Sequence, residues 1–420
     1  MFQLLSVILL LFSFLCFSKE RIIYGDDNRQ ETFEVKRDYQ ELAKSSAGMI
    51  SNLKLVDIGD HFVLPPTTLG KTYGLCEGER FKDQPNAVTC SGFLVGDDLL
   101  VTAGHCIRTQ KDCESLSWVF DFKLEEKTKR AKVAIDKNNV FKCKKVIDSK
   151  LEGKGENLRD FALIQLDRKT KRKPLRFRTS GKIASGTNLV LIGHPSGLPQ
   201  KVAPSGRVFD NKSKRFFKTN VDSFGGNSGS PVFNKNTNKV EGILVRGAKD
   251  YLKDECGIRV NTVEEDIKGK ARLGESVSRI TDLEALKNRR KFLVLLKGRK
   301  NIAEIIKFVD KYPYVLSFID KYGNNPLHLA LRLKNDKAFD KFIQIGGANI
   351  NGQNDRGETP LHIAAAKGRT LAVKSLLEKG AFTFITDNMG KLPSQRVLRH
   401  DIGIKKLLTV QENKDKKASL

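Results

Sequence analysis

The chain has 420 residues, too many for one ordinary domain, and its 39% hydrophobic content is enough to build packed cores. It carries 75 Lys and Arg against 49 Asp and Glu, a formal charge of +26, and half of that excess falls in residues 281–420, which hold 27 basic and 14 acidic side chains. A spread lysine excess favours acidic partners electrostatically. With no basic stripe interleaved with aromatics and no zinc-finger, RRM or KH motif, it does not describe a nucleic-acid binder, and none is expected as a partner.

In chain order, residues 2–17 form an apolar run that ends at Ser18 and is followed by Lys19, Glu20 and Arg21. The run is shorter than the roughly 20 residues a spanning helix needs, so residues 1–18 read as a signal peptide with small residues, Cys16 and Ser18, for cleavage. Its n-region has no basic side chain, and two other readings stay open: an uncleaved anchor, and lipid attachment at Cys16, against which bulky Phe14 and Leu15 stand. The expected location is secreted or periplasmic, with no stable membrane span after removal. Six cysteines then remain, Cys76, Cys90, Cys106, Cys113, Cys143 and Cys256. An even number beside an export signal implies disulfides in an oxidising compartment. Metal binding is the rival, but there is no CxxC pair and the histidines are scattered singly, so neither metal nor cofactor is expected.

Between residues 86 and 265, short apolar runs (91–95, 99–103, 118–122, 161–166, 189–192, 240–245) are broken by turn residues. Short β-branched and aromatic segments at this spacing predict an all-β barrel architecture. Set among them are Thr102, Ala103, Gly104, His105 and Cys106, then Asp160, Phe161, Ala162 and Leu163, then Gly226, Asn227, Ser228, Gly229, Ser230 and Pro231. Peptide-bond hydrolysis through a hydroxyl needs an imidazole to take its proton and a carboxylate to hold that imidazole in one tautomer. A serine among glycines, or one histidine before a cysteine, is ordinary turn chemistry. Three flanked motifs in the order His, Asp, Ser are not.

These motifs, with the stretches 24–29, 90–106, 192–198 and 222–233, resemble the chymotrypsin-like serine proteases, in particular the bacterial branch with the glutamyl endopeptidases, over residues 22–274. The resemblance implies a double β-barrel with the triad in the cleft between barrels: His105 as general base and acid, Asp160 as its orienting carboxylate, Ser228 as nucleophile. The backbone NH groups of Gly226 and Ser228 would form the oxyanion hole. It also implies a Cys90 to Cys106 disulfide beside the histidine. Of the three pairings then left, Cys113 with Cys143 and Cys76 with Cys256 is the one expected. One departure stands out: trypsin has an aspartate before the nucleophile that pairs with a new N-terminal amine, and this chain has Asn227, which cannot form that ion pair.

Downstream the period changes. Asn325, Pro326, Leu327, His328, Leu329, Ala330 recurs as Thr359, Pro360, Leu361, His362, Ile363, Ala364, with a further Leu392, Pro393, so that the prolines stand 34 and 33 residues apart. This spacing and the Pro-Leu-His turn resemble ankyrin repeats over residues 282–408, with degenerate units at both ends as caps. His328 and His362 are then locally bonded turn residues. Residues 412–420 read as a disordered polar tail.

The expected architecture is therefore multidomain: signal peptide 1–18, an all-β chymotrypsin-like protease of residues 19–278, an all-α ankyrin solenoid of residues 279–411, and the tail. The expected function is an exported serine endopeptidase acting on protein or peptide substrates, with the repeats binding a protein partner. The alternative is a catalytically retired protease scaffold used for binding. For specificity, Asp222 lies where trypsin carries the acid of its primary pocket and favours Lys or Arg, while Arg246 offers an acidic substrate side chain a cation. The strand at 242–247 lacks the histidine of the Glu-specific relatives. Every triad residue and all six cysteines precede residue 281, which implies a separable protease and repeat module.

Overall fold

The apolar runs of the first half become strands because their side chains have two faces to bury. A computed structural model describes residues 23–418 except 25, 66, 129–132, 248–249, 261, 264–273 and 299–300; the expected signal peptide lies outside the described residues. Six strands, Ser46–Ser51, Cys90–Leu94, Leu99–Thr102, Leu116–Phe120, Val140–Glu152 and Arg159–Leu166, close an antiparallel barrel. Leu94, Leu100, Trp118, Phe120 and Ile164 share its inner face and are wholly buried. The long strand Val140–Glu152 slips register between Cys143 and Lys145 and again between Val146 and Asp148. Those bulges let it bend and serve neighbours on both sides.

An eight-stranded sheet follows, ordered Val208–Asp210, Phe216–Thr219, Glu275–Arg279, Val240–Arg246, Pro231–Asn234, Leu189–Gly193, Lys201–Ala203 and Gln30–Glu31. It is a half-barrel over its own core of Leu189, Leu191, Phe217, Val232, Leu244 and Val277. The sheet curls back on itself, so that Leu189 NH donates to the Gly206 carbonyl at 2.7 Å and Val208 NH to the Thr187 carbonyl at 3.0 Å. Its last strand is the early segment Gln30–Glu31, which pairs with Lys201–Ala203.

From Glu284 the chain is helical, in Glu284–Lys297, Ile302–Lys311, Pro326–Arg332, Asp336–Ile345, Pro360–Ala366, Thr370–Glu378 and Ile402–Ala418. The repeated Pro-Leu-His sequence starts helices because proline fits the first helical position and the residue before it caps. The Asn325 and Thr359 side chains accept the NH groups of His328 and His362. Each histidine ring then accepts a cap NH at Nδ1 and donates from Nε2 to the next repeat: His328 to the Glu358 carbonyl at 2.9 Å, His362 to the Lys391 carbonyl at 3.0 Å. Burial lowers both rings, His328 to about 4, so they stay neutral. The polar stretch expected as a disordered tail instead continues the last helix to Ala418. Ile404 and Leu408 bury one side of it, and Thr383 donates to Asp415 at 2.6 Å.

The repeats are not a loosely tethered module. Ile280, Leu283, Ala285 and Leu286 belong to one continuous apolar core with the barrel residues Leu99, Phe161 and Leu163. The barrel turn at 95–98 docks on the repeats through Asp97 NH, which donates to the Ser317 carbonyl at 3.1 Å, and Lys169, beyond the strand Arg159–Leu166, donates from Nζ to the Gly346 carbonyl at 3.1 Å. Lys173 and Arg176 pair with Asp355, and Arg159 with Asp282. Burial, aided by the Asp98 charge, pushes the Asp97 carboxyl up to about 7, against the opposing pull of Lys169 and Asn349.

Candidate active site

His105 follows the strand Leu99–Thr102, and Asp160 lies in the adjacent strand Arg159–Leu166. Pairing of these strands sets the two side chains together. Asp160 is wholly buried; its Oδ1 accepts the His105 NH at 3.1 Å and its Oδ2 meets His105 Nδ1 at 2.9 Å. An ionised carboxylate only accepts, so the proton is on Nδ1 and Nε2 presents a lone pair on the far side of the ring. The Cys90–Cys106 disulfide ties this turn to the strand Cys90–Leu94, with Cα atoms 6.3 Å apart. The Ser228 carbonyl accepts the Ser91 NH at 2.7 Å and lies 3.8 Å from Cys106 Sγ. His105 and Ser228 are thereby anchored to the same strand end.

The loop carrying Ser228 is held almost atom by atom. Gly226 and Gly229 have φ of +90° and +91°. A Cβ on Gly226 would meet the His194 carbonyl at 2.5 Å, and one on Gly229 the Ser91 carbonyl at 2.0 Å. Only glycine satisfies both the backbone angle and the close approach. Ser91 Oγ donates to the Gly226 carbonyl at 2.8 Å and accepts the His194 NH at 3.1 Å. Gly225 NH donates to Asp250 Oδ2 at 2.7 Å, Asn227 NH to the Phe224 carbonyl at 3.0 Å, and Gly229 NH to the Leu244 carbonyl at 2.7 Å. The NH groups of Gly226 and Ser228 take no part in this network among the described residues. Asn227 is buried, and its side chain fits under Gly193, where a Cβ would come within 2.5 Å of Asn227 Oδ1.

Beside Ser228 lies a cavity of about 690 Å³, with Phe224, Leu244, Arg246, Asp250, Tyr251 and Glu275 in its lining. Burial raises the Asp250 carboxyl to about 6, opposed by the Gly225 bond and by Arg29. The Cys76–Cys256 disulfide joins the end of the helix Leu69–Tyr73 to the hairpin of Tyr251–Asp254 and Gly257–Val260, and the Tyr73 and Tyr251 rings meet at 4.8 Å on that rim. Cys113 is joined to Cys143. Arg246 lines the cavity; Asp222 is not among its described lining residues. Asp222 is wholly buried, and its Oδ2 accepts the Asn28 NH at 3.0 Å.

Sequence reasoning missed Ser91, Asp250 and Glu275. Ser91 had a local signal, being next to Cys90. Asp250 and Glu275 come from segments without a motif: Glu275 reaches the cavity wall through the pairing of its strand with Val240–Arg246, and Asp250 stands just before the hairpin that begins at Tyr251.

Residues 90–243 match the trypsin-like peptidase domain, and residues 292–387 and 327–416 match ankyrin repeats in three copies. The first of these regions is thus a trypsin-like peptidase domain and the second carries ankyrin repeats. Among curated proteins it is 38% identical over 68 residues to an ankyrin repeat protein of Fowlpox virus (strain NVSL), covering 16% of this chain and 9% of that one. It is 46% identical over 56 residues to the neurogenic locus notch homolog protein 1 of Danio rerio and of Homo sapiens, covering 13% of this chain and 2% of each. The chain therefore spans less than a tenth of these relatives. Among solved structures it is similar to a Glu endopeptidase in complex with MPD (16% identity, 69% of this chain and 98% of that one, TM-score 0.35). It is also similar to the VesB protease of Vibrio cholerae (13% identity, 66% and 68%, TM-score 0.38).

Proposed function

We propose that the chain is an exported serine endopeptidase, with residues 19–278 as its protease part and residues 279–411 as an ankyrin part that binds a protein partner or substrate. His105 Nε2 takes the Ser228 Oγ proton as Oγ attacks the scissile carbonyl. The NH groups of Gly226 and Ser228 stabilise the oxyanion, and collapse of the tetrahedral intermediate passes the proton from His105 to the leaving amine. Water then attacks the acyl-enzyme by the same route in reverse. Asp160 stays ionised, orients the imidazole and stabilises its cation.

The observation that carries this reading is the double contact of one wholly buried carboxylate, Asp160, with both the backbone NH and the ring of His105. Three disulfides support an oxidising compartment, and no helix among the described residues is long and apolar enough to cross a membrane. The test is digestion of an unstructured protein by the purified chain and by Ser228→Ala. The wild type cleaves it, and the variant, which loses one oxygen and little packing, falls by about 10⁴-fold or more in kcat. Turnover by Ser228→Ala within tenfold of wild type overturns the assignment.

A further inference from the structure

The loop at 222–228 carries the proposed nucleophile and both oxyanion donors, so its shape must be set before substrate arrives. Its second half is fixed from nearby: Gly225 by Asp250 and by the Ser196 NH, Gly226 and Ser228 by Ser91. The first half is held from the other end of the chain. Asn28 NH donates to Asp222, 194 residues away. The guanidinium of Arg29, only 2% exposed, lies 3.9 Å from the centroid of the Phe224 ring. Ile23, wholly buried, packs on the same Phe224.

Arg29 is itself held rigidly. Asp27 takes its Nε and Nη2 at 2.8 and 2.7 Å, and Arg80 donates to the Arg29 carbonyl at 2.8 Å and pairs with Asp27 at 3.1 Å. The next two residues form the edge strand Gln30–Glu31, and Glu31 makes a buried ion pair with Lys201 at 2.9 Å. Gln84 bonds both members of that pair. An arginine stripped of water, stacked on one loop residue and gripped in two-pronged fashion by its own neighbour, is not a solvated surface charge. Asn227, beside the nucleophile, carries no charge with which a cleaved amino terminus could pair.

We infer that residues 27–31 form a built-in clamp that holds the substrate-binding loop in its active shape, with Arg29 and Asp222 as positioning residues; this rests on the peptidase reading of Ser228. Shaping of the loop then needs no new amino terminus. A cut before Asp27 leaves the clamp in place, and a cut after Glu31 releases it.

The test compares the wild-type chain with Arg29→Ala, Arg29→Lys and Asp222→Ala, measuring kcat and KM on a peptide panel with varied P1 residues and amide hydrogen exchange across residues 222–230. Arg29→Ala lowers kcat by about 10- to 100-fold, the loss typical of a misplaced site, and speeds exchange at Gly225 and Asn227. Arg29→Lys, which keeps a cation on Phe224 but not the two-pronged hold on Asp27, recovers part of both. Asp222→Ala lowers kcat alike for every P1 side chain. The clamp is overturned by kcat and exchange within twofold of wild type in Arg29→Ala, or by an Asp222→Ala loss confined to Lys and Arg substrates, which would make Asp222 a specificity acid. A wild-type chain that cleaves nothing refutes the peptidase reading, and the exchange comparison still decides the clamp.

Discussion

In the helical half, His362 finds its partners at Thr359, three residues before it, and at Lys391, 29 residues after it where the next unit begins. In the protease half, Asp160 reaches His105 across 55 residues, Ser91 reaches Gly226 across 135, and Asn28 reaches Asp222 across 194. The repeats satisfy buried polar groups within one repeat length, so each unit carries its own instructions. The protease satisfies them only when the whole fold is assembled, so a single contact there reports on distant chain.

The largest expected effect is on the long-range side. Asp160→Asn keeps the shape of the acid, but an amide can donate to Nδ1 and so favours the wrong imidazole tautomer. The expected loss in kcat is about 10⁴-fold with folding retained, checked by steady-state turnover beside circular dichroism. A loss below tenfold would separate Asp160 from the chemistry. Next, His362→Ala leaves the Thr359 NH and the Lys391 carbonyl without their buried partner. Each orphaned group costs about 1–3 kcal/mol, so denaturant unfolding should show a loss of about 2–6 kcal/mol, while kcat on a small peptide at 25 °C stays at the wild-type value. A matching fall in kcat would mean that the two halves are not independent in this respect.

The smallest effect lies at their junction. Asp97 is held near pH 7, above the value of a free aspartate, so its uncharged form favours the fold. That contribution is complete below about pH 4 and is lost as pH rises through about 7. Asp97→Asn cannot ionise; its melting temperature should match wild type at pH 4 and exceed it by a few degrees at pH 8. Parallel curves across that range would show that Asp97 ionises freely where it docks on Ser317.

What the sequence made legible follows the same division. The Pro-Leu-His turns announced themselves because capping acts over three residues. His105, Asp160 and Ser228 were legible through their flanks: Gly226 and Gly229 occupy positions where any Cβ collides, and Cys106 is bridged beside the histidine. The surroundings of Asp222 were not legible because its distance from Ser228 is a local fact, whereas its Oδ2 is bound by Asn28, 194 residues away. Residues 412–418 were misread as disordered for a related reason: the contact that holds them, Thr383 to Asp415, joins this segment to another repeat. The docking of the two halves was not legible because the turn at 95–98, which meets Ser317, and Lys169, which reaches the Gly346 carbonyl, have no motif of their own.

The central claim is that Ser228 is an activated nucleophile. The most direct measurement is intact-mass and peptide mapping of the purified chain after exposure to a fluorophosphonate, with Ser228→Ala in parallel. The account predicts one covalent adduct, on Ser228, in the wild type and none in the variant. A folded wild-type chain that gains no adduct, or gains the same adduct in Ser228→Ala, would contradict it.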